Sequence, residues 1–174
     1  MKKATVITII LLSLIIITAC RKKTPPTVTR WFDCRDGDEI QWNQPKTFTI
    51  DDFPQTVFHC TGAAKLEAIV NSETKELFIG MPIWSVYFYD LTGDGKPEIC
   101  SSASYGSGLI DERIIVYDYV NQKTYVLADR GQYDYILFEK DNSLYVKKNS
   151  SSTLTVIGSG KLAIINDALQ MLEE

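Results

Sequence analysis

From Trp31 to the last residues the chain is a succession of short β-branched and aromatic runs, each closed within eight to twelve residues by Gly, Asn or Asp. "KTFTIDDFP", "TVFHC", "WSVYFYD", "EICSSASY", "RIIVYDYV", "TYVLAD", "YDYILFE" and "SLYVKK" all have this character, and no amphipathic segment of helix length interrupts them. No repeat of solenoid or propeller length recurs. The pattern predicts one all-β domain over residues 31–174, an antiparallel meander forming a single curled sheet or a two-sheet sandwich. Two segments have a helical rival. "KLEAIV" and "KELFIG" form a hairpin about "NSET", or else residues 63–71 form a helix. "KLAII" and "ALQML" form a hairpin about Asn166-Asp167, whose side chains tolerate the positive φ of a tight turn, or else 162–172 is a terminal helix. Gly158-Ser159-Gly160 reads as a loop. Tyr87 and Tyr89, Tyr117 and Tyr119, and Tyr133 and Tyr135 fall two apart, so each pair shares a strand face. Such pairs serve cross-strand packing, or a platform for sugars.

The opening segment, "MKKATVITIILLSLIIITAC", places two lysines before an apolar run from Ala4 to Ala19. That order is a secretory signal, and the run is shorter than the roughly 20 residues that span a bilayer. Its end, "ITAC", resembles the lipobox of bacterial lipoproteins. The resemblance implies removal of residues 1–19 and a diacylglyceryl thioether on Cys20. A short uncleaved anchor is the alternative. Acyl chains contribute about 0.8 kcal/mol per buried methylene, and two signals hold where one chain is marginal. Residues 20–30 then form a tether: Arg21, Lys22 and Lys23 lie at headgroup level, and Pro25 and Pro26 stiffen the spacer. The expected location is the cell membrane, lipid-anchored on the extracytoplasmic side.

Loss of residues 1–19 removes Lys2 and Lys3 and takes the formal charge from −4 to −6. An acidic domain offers phosphates no basic face, so nucleic acid is excluded as a partner. Of four cysteines, lipidation of Cys20 leaves Cys34, Cys60 and Cys100. An exported chain can form disulfides, and Cys34–Cys60 is the pairing considered, against two buried thiols. No C-x-x-C occurs.

"DLTGDGKPEI" carries the strongest chemical signal. Counting from Asp90, oxygen donors fall at Asp90, Thr92 and Asp94, then the Lys96 carbonyl and Glu98, an array suited to calcium. Gly93 and Gly95 allow the bend that brings them together. Position twelve is Ser101 and the flanks are strands, so this is not an EF-hand. The loop resembles the calcium loops of FG-GAP or VCBS-type extracellular repeats, departing from them at Thr92 and Glu98. Over residues 48–148, "MPIWSVYFYDLTGDGKPEIC", "YGSGLIDERIIVYDY" and "DRGQYDY" resemble an uncharacterised exported domain of Gram-positive bacteria. That domain occurs in lipoproteins and in the outer tail of some β-lactam-sensor-like membrane metallopeptidases, and it implies no activity. A polar hairpin without an ion is the alternative account of the loop. "DCRDGDE" at 33–39 is too irregular to read as a second site.

Enzyme signatures are sparse. H-E-x-x-H does not occur, and His59 is the one histidine. "SETK" at 72–75 fits S-x-x-K without its partner motifs. "SYGSGLID" at 104–111 could present amides to an anion. The reading is therefore a lipid-anchored binding or accessory module stabilised by structural Ca²⁺, meeting a surface protein or wall component. A surface hydrolase and an inert structural domain are the alternatives.

Overall fold

The runs of β-branched and aromatic residues become strands. A computed structural model describes residues 26–39, 44–106 and 111–173; residues 1–19, Cys20 and the basic run 21–23 lie outside them. β1 (Thr29–Asp33) ends in a 3-10 turn, Cys34–Asp36. β2 (Lys46–Phe48), β3 (Val57–Thr61), β4 (Lys65–Val70) and β5 (Glu73–Ile79) follow, then β6 (Ile83–Tyr89), β7 (Glu98–Tyr105), β8 (Asp111–Asp118) and β9 (Lys123–Leu127). β10 (Tyr133–Lys140), β11 (Ser143–Ser150), β12 (Val156–Ile165) and β13 (Ala168–Glu173) complete the order. All pairings between these strands are antiparallel.

Both helical rivals give way to hairpins. Asn71-Ser72, Asp141-Asn142 and Asn166-Asp167 all have positive φ at both residues, the geometry of two-residue turns that match strand twist. Residues 158–160, expected as a loop, lie inside β12. There a Cβ on Gly160 would sit 2.2 Å from the Leu172 carbonyl oxygen, so the close approach of β13 requires glycine. β1 begins at Thr29, two residues inside the expected tether, and Val28 is already buried.

The all-β expectation holds and the layering is that of a sandwich, with a third sheet beyond the two expected. Among the described residues the sheets are three: a five-stranded one ordered β1-β6-β7-β8-β9, and four-stranded meanders β2–β5 and β10–β13. Alternation along the central strands shows how they stack. Val86, Phe88, Ile99 and Ile115 share one core with Phe58, Leu66 and Phe78 of β3–β5. Their neighbours Tyr87, Cys100, Ile114 and Val116 share another with Leu137, Leu144 and Leu162 of β10–β12. The central sheet is thus covered on both faces, which is why β6 and β8 read as nearly continuous apolar runs rather than alternating ones. Each fully buried side chain of this size contributes about 1.5–3 kcal/mol. Each tyrosine pair does share a face, packed into or against the cores.

Side-chain hydrogen bonds also join the layers. Ser102 Oγ accepts the Leu137 N–H at 2.7 Å, and Asp134 accepts the Glu112 N–H at 3.0 Å, which docks β10 on the central sheet. The chain enters against the β10–β11 turn: the Val28 N–H donates to Asn142 Oδ1 at 3.0 Å, and Asn142 Nδ2 donates to the Pro26 carbonyl at 3.2 Å. Since Thr29 pairs with Phe88, the β6–β7 loop leaves the sheet at this same end. The β8–β9 turn and Asp167, which accepts from Tyr125 at 3.4 Å, are there too. The opposite end carries the β11–β12 loop, where the Ser151 N–H meets the Gln132 carbonyl at 3.1 Å.

Cys34, Cys60 and Cys100 are free thiols, so of the two readings of Cys34 and Cys60 the unbridged one is found. Cys34 follows a strand of the central sheet and Cys60 lies in β3 of a neighbouring one. Both border a cavity of about 10 Å³ beside Phe32 and Lys46, room for about one water. Burial pushes the Cys60 thiol up to about 12 and raises Cys100, on the other face of the sheet, well above its ordinary value.

Candidate metal centre

The loop joining β6 to β7 is held by packed residues at both ends. Tyr89 and Ile99 are buried in the two separate cores and Leu91 packs on one of them. Between these anchors Gly93 (φ 76°) and Gly95 (φ 92°) take left-handed backbone, which a Cβ would strain. The bend is therefore written into the glycines.

It turns carboxylates inward. One oxygen of each of Asp90, Asp94 and Glu98 lies within 4.8 Å of the others. The loop's own amides orient them. Asp90 accepts from Gly93 N–H (2.6 Å) and Gly95 N–H (2.9 Å), and Asp94 from Lys96 N–H (2.7 Å). Glu98 Oε2 accepts from Leu91 N–H (2.6 Å) and Thr92 N–H (3.2 Å), while Oε1 takes the Thr92 hydroxyl at 2.9 Å. Each oxygen retains lone-pair capacity beyond these bonds. The three side chains run from exposed Asp94 through half-buried Asp90 to Glu98, only 2 % exposed.

Electrostatics distinguish Glu98. Burial raises its carboxyl pKa above the ordinary value, while the Leu91 and Thr92 donors pull the other way. Among the described residues no basic side chain bonds to it. Lys96, the one cation of the loop, turns its Nζ away to the Asp52 carbonyl at 2.9 Å and lies 5.7 Å from the Phe53 ring centre. Buried Asp118, at the end of β8 beside Glu98, adds further negative potential. The sequence reading missed Asp118; its signal was an Asp closing a strand just before a turn, where it accepts from Asn121. The arrangement can hold a metal ion, with three carboxylates as its donors.

Of the predicted ligands, then, Asp90, Asp94 and Glu98 converge, and Thr92 is bonded to Glu98. The Lys96 side chain points elsewhere, leaving only its main chain to take part. The second acidic run has a different structure: Asp33 caps the 3-10 turn by accepting the Arg35 N–H and takes the Tyr87 hydroxyl at 2.5 Å, while Arg30 bridges Asp36 and Asp38. In "SETK", Ser72 sits in the β4–β5 turn and Lys75 donates to Gln122 at 3.0 Å. Residues 107–110 of "SYGSGLID" are outside the described residues.

No family model, curated protein or solved structure matches this chain.

Proposed function

We propose that the protein is a lipid-anchored extracytoplasmic binding or accessory module whose β6–β7 loop is closed by a structural calcium ion. The observation that carries this reading is the convergence of Asp90, Asp94 and Glu98 around a bend whose one lysine turns away to the Asp52 carbonyl. An all-oxygen, carboxylate-rich set without nitrogen or sulfur suits a hard cation. Calcium tolerates irregular geometry and six to eight ligands, whereas magnesium demands a near-ideal octahedron. The Lys96 carbonyl, the Thr92 hydroxyl and water would complete the shell. The remaining support is in the sequence: the lysine-led apolar run and the "ITAC" tract ending at Cys20.

Extracellular calcium modules bind at about 10⁻⁴–10⁻³ M. With free calcium at ten times such a constant, linkage adds about 1.4 kcal/mol to stability. The ion would then rigidify the loop and would not act as a signal, leaving the domain's surface to a protein or wall partner. Two measurements test the reading. Calcium should raise the melting temperature of the wild-type domain and not of Asp94→Ala, with magnesium much weaker. The full chain should stay in the membrane fraction and take up labelled palmitate, and Cys20→Ser should lose the label. A melting curve indifferent to calcium removes the ion, and palmitate that is never taken up, or that survives Cys20→Ser, removes the lipid anchor.

A further inference from the structure

We infer that the pole of the domain carrying the β6–β7 loop is the face presented to the lipid bilayer. The inference rests on the lipid anchor at Cys20 proposed above and adds an orientation that the anchor alone does not dictate.

Three facts combine. The chain is fixed to the domain at one end by the paired bonds between Asn142 and both Pro26 and Val28. The β6–β7 loop lies at that end, because Thr29 pairs with Phe88 and Asp90 follows just beyond it. The reach from Cys20 to Pro26 is six residue steps, at most about 20 Å whatever their conformation. The central strands set the scale of the domain: the eight residues of β7 rise about 26 Å. Turning the domain over would lift Pro26 by at least that height above the lipid surface. The tether is too short to allow it.

Charge fits this placement. The bilayer-facing pole carries Asp90, Asp94 and Asp141 in its loops and turns, while its Asp167 is paired with Lys123. Arg21, Lys22 and Lys23 lie in sequence between these carboxylates and the anchor, with both the three unpaired aspartates' pole and lipid phosphates as counter-charges. Hydrophobic insertion is assigned elsewhere. Leu154, 77 % exposed and held at φ 56° by its N–H bond to the Ser150 carbonyl, sits with exposed Val156 and Ile157 at the far pole. Those apolar side chains do not dip into the membrane that bears the anchor.

The test uses full-length lipidated protein in vesicles of phosphatidylglycerol and phosphatidylcholine carrying an energy-transfer acceptor on the headgroups. A donor dye is placed at Val120→Cys in the β8–β9 turn or at Ser152→Cys at the far pole, both exposed positions. Cys34 is replaced by Ser in both, so that the remaining described thiols are buried. Flotation of the vesicles first reports whether the anchor holds. With the protein floating, transfer from position 120 should exceed that from position 152 by about two-fold or more, as a height difference of one strand length requires. Equal transfer, or the reverse order, in floating protein overturns the orientation while leaving the anchor intact. Protein that fails to float overturns the anchor and the orientation with it.

Discussion

The chain holds two short acidic segments, 33–39 and 90–98, each turning at glycine, and the fold treats them oppositely. In the first, Arg30 reaches over from β1 to Asp36 and Asp38, and Asp38 also accepts the Asp33 N–H at 2.7 Å. These bonds, the backbone one first and Arg30 next, hold the Asp38 carboxyl below its usual range. In the second, the one lysine is turned away and burial drives Glu98 upward. A run of carboxylates that brings its own arginine is complete. One that buries a glutamate with only amides and a hydroxyl around it has charge left to be met.

Glu98→Ala should break the comparison most severely. It strands the Leu91 and Thr92 amides and empties a buried position, costing about 3 kcal/mol by urea unfolding even in chelator. A loss under about 1 kcal/mol would mean that the amides find water. Asp94→Ala comes next. Its side chain is exposed, so chelated stability should move by less than about 0.5 kcal/mol. The calcium-dependent gain of about 1.4 kcal/mol at ten times the dissociation constant should vanish. Arg30→Ala should cost about 1 kcal/mol, since its partners are half-exposed or exposed, and should leave the calcium gain untouched. A calcium response that falls with Arg30 would join the two segments into one site.

Acid titration sharpens the contrast through sign. Asp38 is depressed in the fold, so its contribution is present above its ordinary value of 3.8 and is lost as pH falls through the lower folded value. Glu98 is raised, so its contribution is full below 4.5 and is lost as pH rises through the higher folded value. In chelator, Asp38→Asn should therefore flatten the acid limb of the stability curve, and Glu98→Gln should raise stability toward neutrality relative to wild type. Calcium should abolish the second advantage, because a bound cation favours ionised Glu98. Parallel pH profiles for the two variants would refute the contrast.

The same pair of segments shows how far sequence reading reaches. Local signals carried well: Gly93 and Gly95 announce the bend, the spacing of Asp90, Asp94 and Glu98 brings them together, and Asn71-Ser72 and Asn166-Asp167 close hairpins. Non-local facts did not carry. "IWSVYFY" and "EICSSASY" have side chains suited to two buried faces, yet a buried run alone does not say that a sheet lies on each side, so the third layer was missed. Nor does spacing tell that Arg30 folds back onto Asp36 and Asp38 while Lys96 turns outward to Asp52. Asp118 joins Glu98 only through the pairing of β7 with β8. Gly158 and Gly160 read as a loop because β12's need for glycine comes from its partner strand.

A crystal structure of the domain grown in millimolar calcium, with anomalous data, bears most directly on whether this bend is a metal cradle. The account predicts a single peak between Asp90, Asp94 and Glu98, with six or more oxygens at about 2.3–2.6 Å. Carboxylates still bonded only to the loop's own amides and the Thr92 hydroxyl, with no peak among them, would contradict it.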